Sequence, residues 1–209
     1  MEEIDADNCL QLTGHSLEYF INLTGIHGIH AGFAIDQAID SAFTFHNNQV
    51  KVSIETDIVS ELARTIHLGN MEISNDVMKK VKGARPGIGL DILCHQVDQA
   101  RKSGYKAIVT QAYRDLKKSP EYDGYAMWGR YGFVMSPKSH GKFLEIMRKH
   151  SRPEQNIYDL QLHTEGRDFW KEHGILWIGE FDLEANSYSV TCLNDAVKAR
   201  DAKLKGIKK

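Results

Sequence analysis

Cysteine and proline are scarce in this chain, and long hydrophobic runs are missing from it. Of its 209 residues four are proline and three are cysteine, at the widely separated positions Cys9, Cys94 and Cys192. Because no CxxC pair occurs, the sequence indicates neither a disulfide framework nor a cysteine zinc site. No apolar run approaches the roughly 20 residues of a membrane span, and the acidic N-terminus is unlike a signal peptide. We therefore expect a cytoplasmic protein without membrane contact.

An excess of one charge is also missing. The chain carries 26 basic and 28 acidic residues, so its formal net charge of −2 creates no strong field that would attract nucleic acid. Hydrophobic residues make up 42% of the chain, which is enough to bury an ordinary globular core. The length predicts one domain over 1–209, with an N-terminal extension at 1–33, a core at 34–135, and C-terminal helices and a strand at 136–209. The sequence permits an oligomer and predicts no nucleic-acid partner.

A glycine-rich loop, an amphipathic helix and a short strand follow one another between residues 83 and 112. Helical spacing of the apolar residues predicts a helix of about three to four turns, with its stripe at Leu90, Leu93, Val97 and Ala100. Ser103 and Gly104 end this helix. The run 107–109 then predicts a buried strand. On this pattern Cys94 is expected to flank the buried face of the helix as a small hydrophobic residue.

The start of this helix has the chemistry of an anion-binding site. The first backbone N–H groups of a helix have no partner inside it, and Gly87 and Gly89 allow a ligand to approach the backbone closely. Arg85 adds a fixed positive charge that suits phosphate. Together these features predict a binding site for pyrophosphate at Ile88 to Leu90. The alternative interpretation is that the glycines only form a loop between a strand and a helix.

An aromatic-rich segment, WGRYGF at 128–133, follows the strand after a polar loop. The order of strand, RPGIG loop at 85–89, helix, strand and aromatic segment resembles the GNAT acyltransferase superfamily over about residues 66–135. That family holds the pyrophosphate of acetyl-coenzyme A in a Q/R-x-x-G-x-G/A loop and ends a later segment in Tyr-x-x-x-Gly-Phe. Here Ala84 stands at the leading position of the loop pattern. Trp128 stands where many members carry a tyrosine that acts as an acid.

The resemblance implies a fold and an activity. The implied fold is α+β, with a mixed, mainly antiparallel central sheet flanked by helices. The implied activity is acetyl-CoA-dependent N-acetylation of an amine of unknown class, by direct attack on the thioester. The cofactor-binding residues expected for acetyl-CoA are Val77, Met78, Arg85, Gly87, Ile88, Gly89, Leu90 and Trp128. A catalytically inactive GNAT-like binding module is the alternative.

Three residues are candidates for proton transfer. Glu72 and Asp76 share one face of a strand predicted at 71–78, so either carboxylate can receive a proton from an amine. The other interpretation places both carboxylates on an exposed strand edge. An indole is no acid near neutral pH, so Trp128 does not inherit the tyrosine role. Tyr131 is the candidate substitute, and core packing is its alternative.

Periodicity and turn residues predict the remaining elements. A hairpin is expected from strands at 42–46 and 50–55 around Asn47-Asn48, whereas 34–40 suits either a strand or a helix. Helices are predicted at 16–23, at 136–150 with Ser136 as its cap, at 164–173 with Gly174 as its end, and from 186 or 187 onward, with a strand at 175–183. Another helix is predicted at 58–67, with Ile58, Leu62 and Ile66 on one face and Gly69-Asn70 after its end. The ten histidines include no HExxH pattern. The closely spaced His27 and His30 have no acidic or cysteine companion nearby, so no metal site is expected.

Overall fold

Runs of strands and runs of helices follow one another along the chain, which makes the protein mixed α+β. The computed structural model describes residues 10, 15–23, 25, 33–37, 42–47, 52–57, 65–71, 88–112 and 124–207. Its elements in chain order are α1 (Leu17–Leu23), β1 (Phe33–Gln37), β2 (Ala42–Asn47), β3 (Val52–Asp57), β4 (Thr65–Met71), α2 (Ile88–Lys102), β5 (Ala107–Ala112), β6 (Val134–Met135), α3 (Pro137–Lys149), α4 (Ile157–Leu162), α5 (Thr164–His173), β7 (Trp177–Asp182) and α6 (Tyr188–Ile207). Two 3₁₀ turns, Gly124–Ala126 and Gly129–Tyr131, precede β6.

The chain divides into two compact units, Met1–Ile108 and Val109–Lys209, and β5 crosses the boundary between them. The first unit contains α1, α2 and the strands β1 to β4. The second contains the 3₁₀ turns, α3 to α6, β6 and β7. A single domain over 1–209 stays a prediction. None of the described helices combines the length and apolar character that a membrane span requires.

Strands β1 to β4 of the first unit pair consecutively, each antiparallel to the one before it. The predicted hairpin is confirmed, since Ala42 of β2 lies opposite Asp57 of β3 and His46 lies opposite Ser53. Residues 34–37 of the segment that suited either a strand or a helix belong to β1. Residues 38–40 and 48–51 lie outside the described residues.

Strand β4 corrects one helix prediction. A helix was expected over 58–67, but residues 65–67 belong to β4, and 58–64 lie outside the described residues. Ser53 pairs with Asn70 and Ile54 with Leu68, so Gly69 is an extra residue in β4. Such a β-bulge suits glycine, which has no side chain to place. Gly69 therefore lies inside a strand and does not end a helix. The strand predicted at 71–78 has only Met71 among the described residues.

Helix α2 packs into the core of the first unit through one face. All four residues of its predicted stripe are buried, which confirms the helix and its inward face. Cys94 is half-buried beside that face, as predicted. Helix α1, also confirmed, packs on α2 through Phe20 and Leu23. Gly25 follows α1 with a φ of 75°, and a Cβ there would lie 2.3 Å from the carbonyl oxygen of Ile92, so only glycine allows this approach.

The core of the second unit is aromatic. Its largest fully buried side chains are Trp170, Trp177, Phe133, Phe143 and Phe181. Strand β7 pairs antiparallel with β6 and also neighbours β5. The strand predicted at 175–183 is confirmed as β7, but the buried positions are not those of the aliphatic residues. Trp177 and Phe181 are buried, whereas Leu176 and Ile178 are exposed. The larger aromatic rings take the inward positions.

Capping residues set the ends of the helices in this unit. Ser136 caps α3 as predicted, with its hydroxyl oxygen accepting from the backbone N–H of Ser139. Helix α5 ends at Gly174, whose N–H donates to the carbonyl of Trp170 at 2.7 Å. Ser187 accepts from the N–H of Val190 at the start of α6. Helix α4, which the sequence did not predict, is capped by Asn156.

Candidate functional site

The start of α2 is the part of the predicted anion site that the structure describes. The helix begins at Ile88, directly after Gly87, and the first-turn residue Gly89 is only half-buried. Leu90, the next residue, is 3% exposed and anchors this end of the helix in the core of the first unit. The N–H groups of the first turn have no acceptor within the helix. The burial of Leu90 fixes the position of this helix end.

An acidic residue also lies in this first turn. Asp91 is exposed there, and its carboxylate complements the positive end of the helix dipole. The same negative charge reduces the positive potential that a bound anion would experience. Binding of a diphosphate at this terminus therefore depends on additional positive charge, which the sequence provides at Arg85.

Most of the other predicted site residues fall on one segment outside the described residues. This segment, 72–87, contains the two candidate proton acceptors, Glu72 and Asp76. It also contains four of the predicted cofactor-binding residues, namely Val77, Met78, Arg85 and Gly87. Their roles stay predictions. Of the predicted set the structure brings together Ile88, Gly89 and Leu90 in the first turn of α2.

Trp128 belongs to the core of the second unit. Its side chain is 8% exposed and meets Phe133 edge to face, with the ring centroids 5.0 Å apart. Phe133 in turn meets Phe181 at 5.4 Å. Tyr131, the candidate acid, is half-buried in the second 3₁₀ turn. The aromatic residues of the WGRYGF segment therefore help to form the core, whichever further roles they have.

The two glycines of this segment are explained by close packing. A Cβ on Gly129 would lie 2.7 Å from a side-chain carbon of Ile157 in α4. Gly132 has a φ of 100°, and a Cβ there would lie 2.3 Å from the carbonyl oxygen of Ser189 in α6. A side chain at either position collides with a neighbouring helix. The W-G-x-x-G-F spacing is thus required by packing alone.

Gln161 holds the two 3₁₀ turns in place, and sequence reasoning missed it. Its amide oxygen accepts from the backbone N–H of Arg130 at 3.1 Å, and its amide nitrogen donates to the carbonyl of Tyr125 at 3.2 Å. The indole N–H of Trp177 donates to the same carbonyl at 3.2 Å. Gln161 is fully buried. No local pattern distinguishes it from a surface glutamine, because both of its partners lie more than 30 positions away.

A second buried glutamine lies in the first unit. Gln96 on α2 is fully buried, and neither atom of its amide group has a hydrogen-bond partner in the described part of the chain. Its backbone and Cβ border the position that a side chain at Gly25 would fill. A buried amide without partners costs about 1–3 kcal/mol.

Two types of chemistry find no support in the described residues. No group of three or more histidine, cysteine, aspartate or glutamate residues is arranged to hold a metal ion there, and His27 and His30 lie outside the described ranges. Cys192 is buried beside the hydroxyl groups of Tyr158 and Tyr188. Burial raises the pKa of its thiol, whereas a nucleophilic cysteine requires a lowered one. Cys192 is therefore poorly suited to nucleophilic catalysis.

Comparison of the chain with protein-family models, with curated proteins and with solved structures finds no match.

Proposed function

We propose that this protein is an acetyl-CoA-dependent N-acyltransferase in which the start of α2 binds the diphosphate of the coenzyme. The observation that carries the proposal is that α2 begins at Ile88, directly after the glycine loop, with Leu90 buried beneath it. The order of the described elements adds support. Antiparallel strands precede the loop, and α2, β5 and the WGRYGF segment follow it. The resemblance to the GNAT superfamily rests on this order together with a strand at 71–78, which stays a prediction.

Binding at the helix start would combine three sources of attraction. The backbone N–H groups of Ile88, Gly89 and Leu90 would donate to phosphate oxygens, and the helix dipole would favour the negative charge. Arg85 would add the charge-assisted contact that offsets Asp91 in the first turn. Because α2 is anchored by its buried stripe, these donors need little ordering when the ligand arrives, which lowers the entropic cost of binding.

In the proposed reaction a neutral substrate amine attacks the thioester carbonyl carbon. A carbon–nitrogen bond forms, the carbon–sulfur bond breaks, and the amine proton passes to Glu72 or Asp76. A backbone N–H at Val77 or Met78 would polarise the carbonyl oxygen. The leaving thiolate takes up a proton from Tyr131 or from solvent. Positioning of the two reactants can supply much of the rate enhancement, so a dedicated acid is not essential.

Isothermal titration calorimetry with acetyl-CoA tests the binding step. We expect the wild type to bind, and Arg85→Glu to lose at least about tenfold in affinity, or ~1.4 kcal/mol. Arg101→Glu is the matched control, because Arg101 is exposed in the last turn of the same helix and should leave the affinity nearly unchanged. Absence of heat with the wild type, or equal losses in the two variants, would contradict the proposal.

A catalytically inactive coenzyme-binding module is the second candidate, and the burial of Trp128 favours it. This residue stands where the resemblance places an acid, but an indole N–H only donates a hydrogen bond, and the ring packs in the core. Release of the free thiol from acetyl-CoA, measured against a broad panel of amines, separates the two candidates. Coenzyme binding without amine-dependent thiol release would select the inactive module.

A further inference from the structure

Two histidine rings meet where α3 and α5 end. The rings of His150 and His173 have centroids 4.2 Å apart and are tilted by 31°. Phe169 contacts both, at 5.2 Å from His150 and 4.8 Å from His173. The guanidinium carbon of Arg152 lies 4.8 Å above the centre of the Phe169 ring. The four side chains form one surface cluster, here called the histidine cluster.

Each histidine belongs to the carboxyl end of a helix. His150 is the C-terminal cap of α3, and its backbone N–H donates to the carbonyl of Ile146 at 3.1 Å. His173 is the last residue of α5. The carbonyl ends of helices carry partial negative charge, so each terminus favours one positive charge near it. Two positive charges on rings whose centroids are 4.2 Å apart would repel each other, which opposes the effect of the helix ends.

Several other charged groups lie near the two histidine rings. On α3 the neighbour is Lys149, and the segment after it provides Arg152, which forms an ion pair with Glu154. On α5 the carboxylate of Glu172 lies 3.7 Å from Nε2 of His173. Glu154 pairs with Arg152, and Glu172 is the carboxylate that lies beside the ring of His173. A second imidazolium would face the first one and Lys149.

We propose that His150 and His173 form a proton-sensitive clasp between the ends of α3 and α5, closed while the pair carries at most one proton and opened when it carries two. Opening would separate the two helix ends and uncover Phe169, which the closed cluster half-buries. The clasp lies within the second unit and does not depend on the coenzyme site. The protein would therefore loosen locally in mildly acidic surroundings, whether or not it transfers an acyl group.

The electrostatics of His150 agree with this geometry. His150 is exposed, yet its pKa lies below the ordinary value of 6.5, because neighbouring rings displace part of the water around the imidazole and because His173 and Lys149 oppose a further positive charge. Glu172 acts in the opposite direction with a smaller effect. The folded protein thus binds fewer protons at this site than the unfolded chain does. Its contribution to stability is complete above pH 6.5 and is lost as the pH falls through that value to the lower pKa of the folded state.

Histidine ring NMR signals of the full-length protein, followed from pH 8 to pH 4.5, test the clasp. We expect the titration midpoint of His150 to rise in His173→Phe, which keeps an aromatic ring against Phe169 but carries no charge. His15→Gln, which removes an exposed histidine of the first unit, is the control and should leave that midpoint unchanged. A second readout on the wild type avoids any folding defect of the variant. High salt should raise the His150 midpoint by screening the like charges.

Hydrogen exchange tests the opening itself. The backbone N–H groups of His150 and Gly174 donate to carbonyls at the ends of α3 and α5. Their protection factors should fall about tenfold between pH 7 and pH 5 in the wild type, and should change much less in His173→Phe. An identical His150 midpoint in the wild type and His173→Phe, or unchanged protection at both amides, would overturn the proposal.

Discussion

At the scale of single residues, the glycines of the second unit differ sharply in what surrounds them. A Cβ on Gly166 would lie 1.8 Å from the carbonyl oxygen of Leu160, and Gly132 combines a similar collision with a positive φ. Gly141, in the middle of α3, has no atom within 4 Å of such a Cβ. Identical glycine-to-alanine substitutions should therefore have opposite effects on stability at these positions.

Gly132→Ala and Gly141→Ala form a matched pair. The first should lower the free energy of unfolding by at least about 1–3 kcal/mol, because alanine at a φ of 100° is strained and meets the backbone of Ser189. The second should raise it by about 0.5–1 kcal/mol, because alanine loses less backbone entropy in an exposed helix. Urea unfolding followed by circular dichroism measures both. A neutral or stabilising effect at Gly132 would refute the packing explanation of the WGRYGF segment.

At the scale of secondary-structure elements, helix α3 depends on its first residues. The hydroxyl of Ser136 donates to the hydroxyl of Ser139 at 3.0 Å, and the oxygen of Ser139 accepts from the backbone N–H of Ile178 in β7 at 3.1 Å. The cap of the helix and the strand beside it are thus connected through two hydroxyl groups. Loss of the cap should loosen the attachment of α3 to β7 as well as the first turn of α3.

Ser136→Ala should destabilise the protein by about 1 kcal/mol, because an alanine cannot accept the hydrogen bond at the helix start. Ser136→Asp supplies a carboxylate acceptor at the positive end of the helix dipole and should keep most of the stability. Thermal unfolding of both variants beside the wild type gives the comparison. Equal melting temperatures for all three proteins would show that the cap contributes nothing measurable.

Elements whose signals are local were predictable from the sequence. Ser136 and Pro137 predict the start of α3, and Gly174 predicts the end of α5. The spacing of Leu90, Leu93 and Val97 predicts the inward face of α2. Helix α4 escaped prediction because its six residues are too few to show a helical period. Strand β4 was partly assigned to a helix because Ile66 completes a helical spacing with Ile58 and Leu62. Pairing of β4 with β3, a non-local interaction, overrides that spacing.

The candidate site was predictable only where it depends on a helix end. The first turn of α2 lies where the glycine loop predicted it, because glycines followed by an apolar stripe are a local signal. Gln96 and Gln161 were missed, since their importance comes from burial and from partners distant in sequence. The packing role of Gly132 was missed for the same reason. Its constraint is a helix that begins more than 50 residues later.

At the scale of the whole molecule, the two units carry different parts of the account. The first unit contains the start of α2 and hence the proposed diphosphate site, whereas the second contains the aromatic core and the histidine cluster. The acyltransferase proposal and the clasp proposal can therefore be tested independently. A failure of coenzyme binding would leave the proton-sensitive clasp untouched, and an unchanged His150 titration would leave the acyltransferase proposal untouched.

The most direct test of the central claim is a titration of the ¹⁵N-labelled protein with coenzyme A, followed through its backbone amide signals. We predict that the amides of Ile88, Gly89 and Leu90 shift strongly, because their N–H groups would donate to the diphosphate. The amides of Arg101 and Lys102, at the opposite end of the same helix, should shift little. Absence of shifts at the three first-turn amides while coenzyme A is present in excess would contradict the claim.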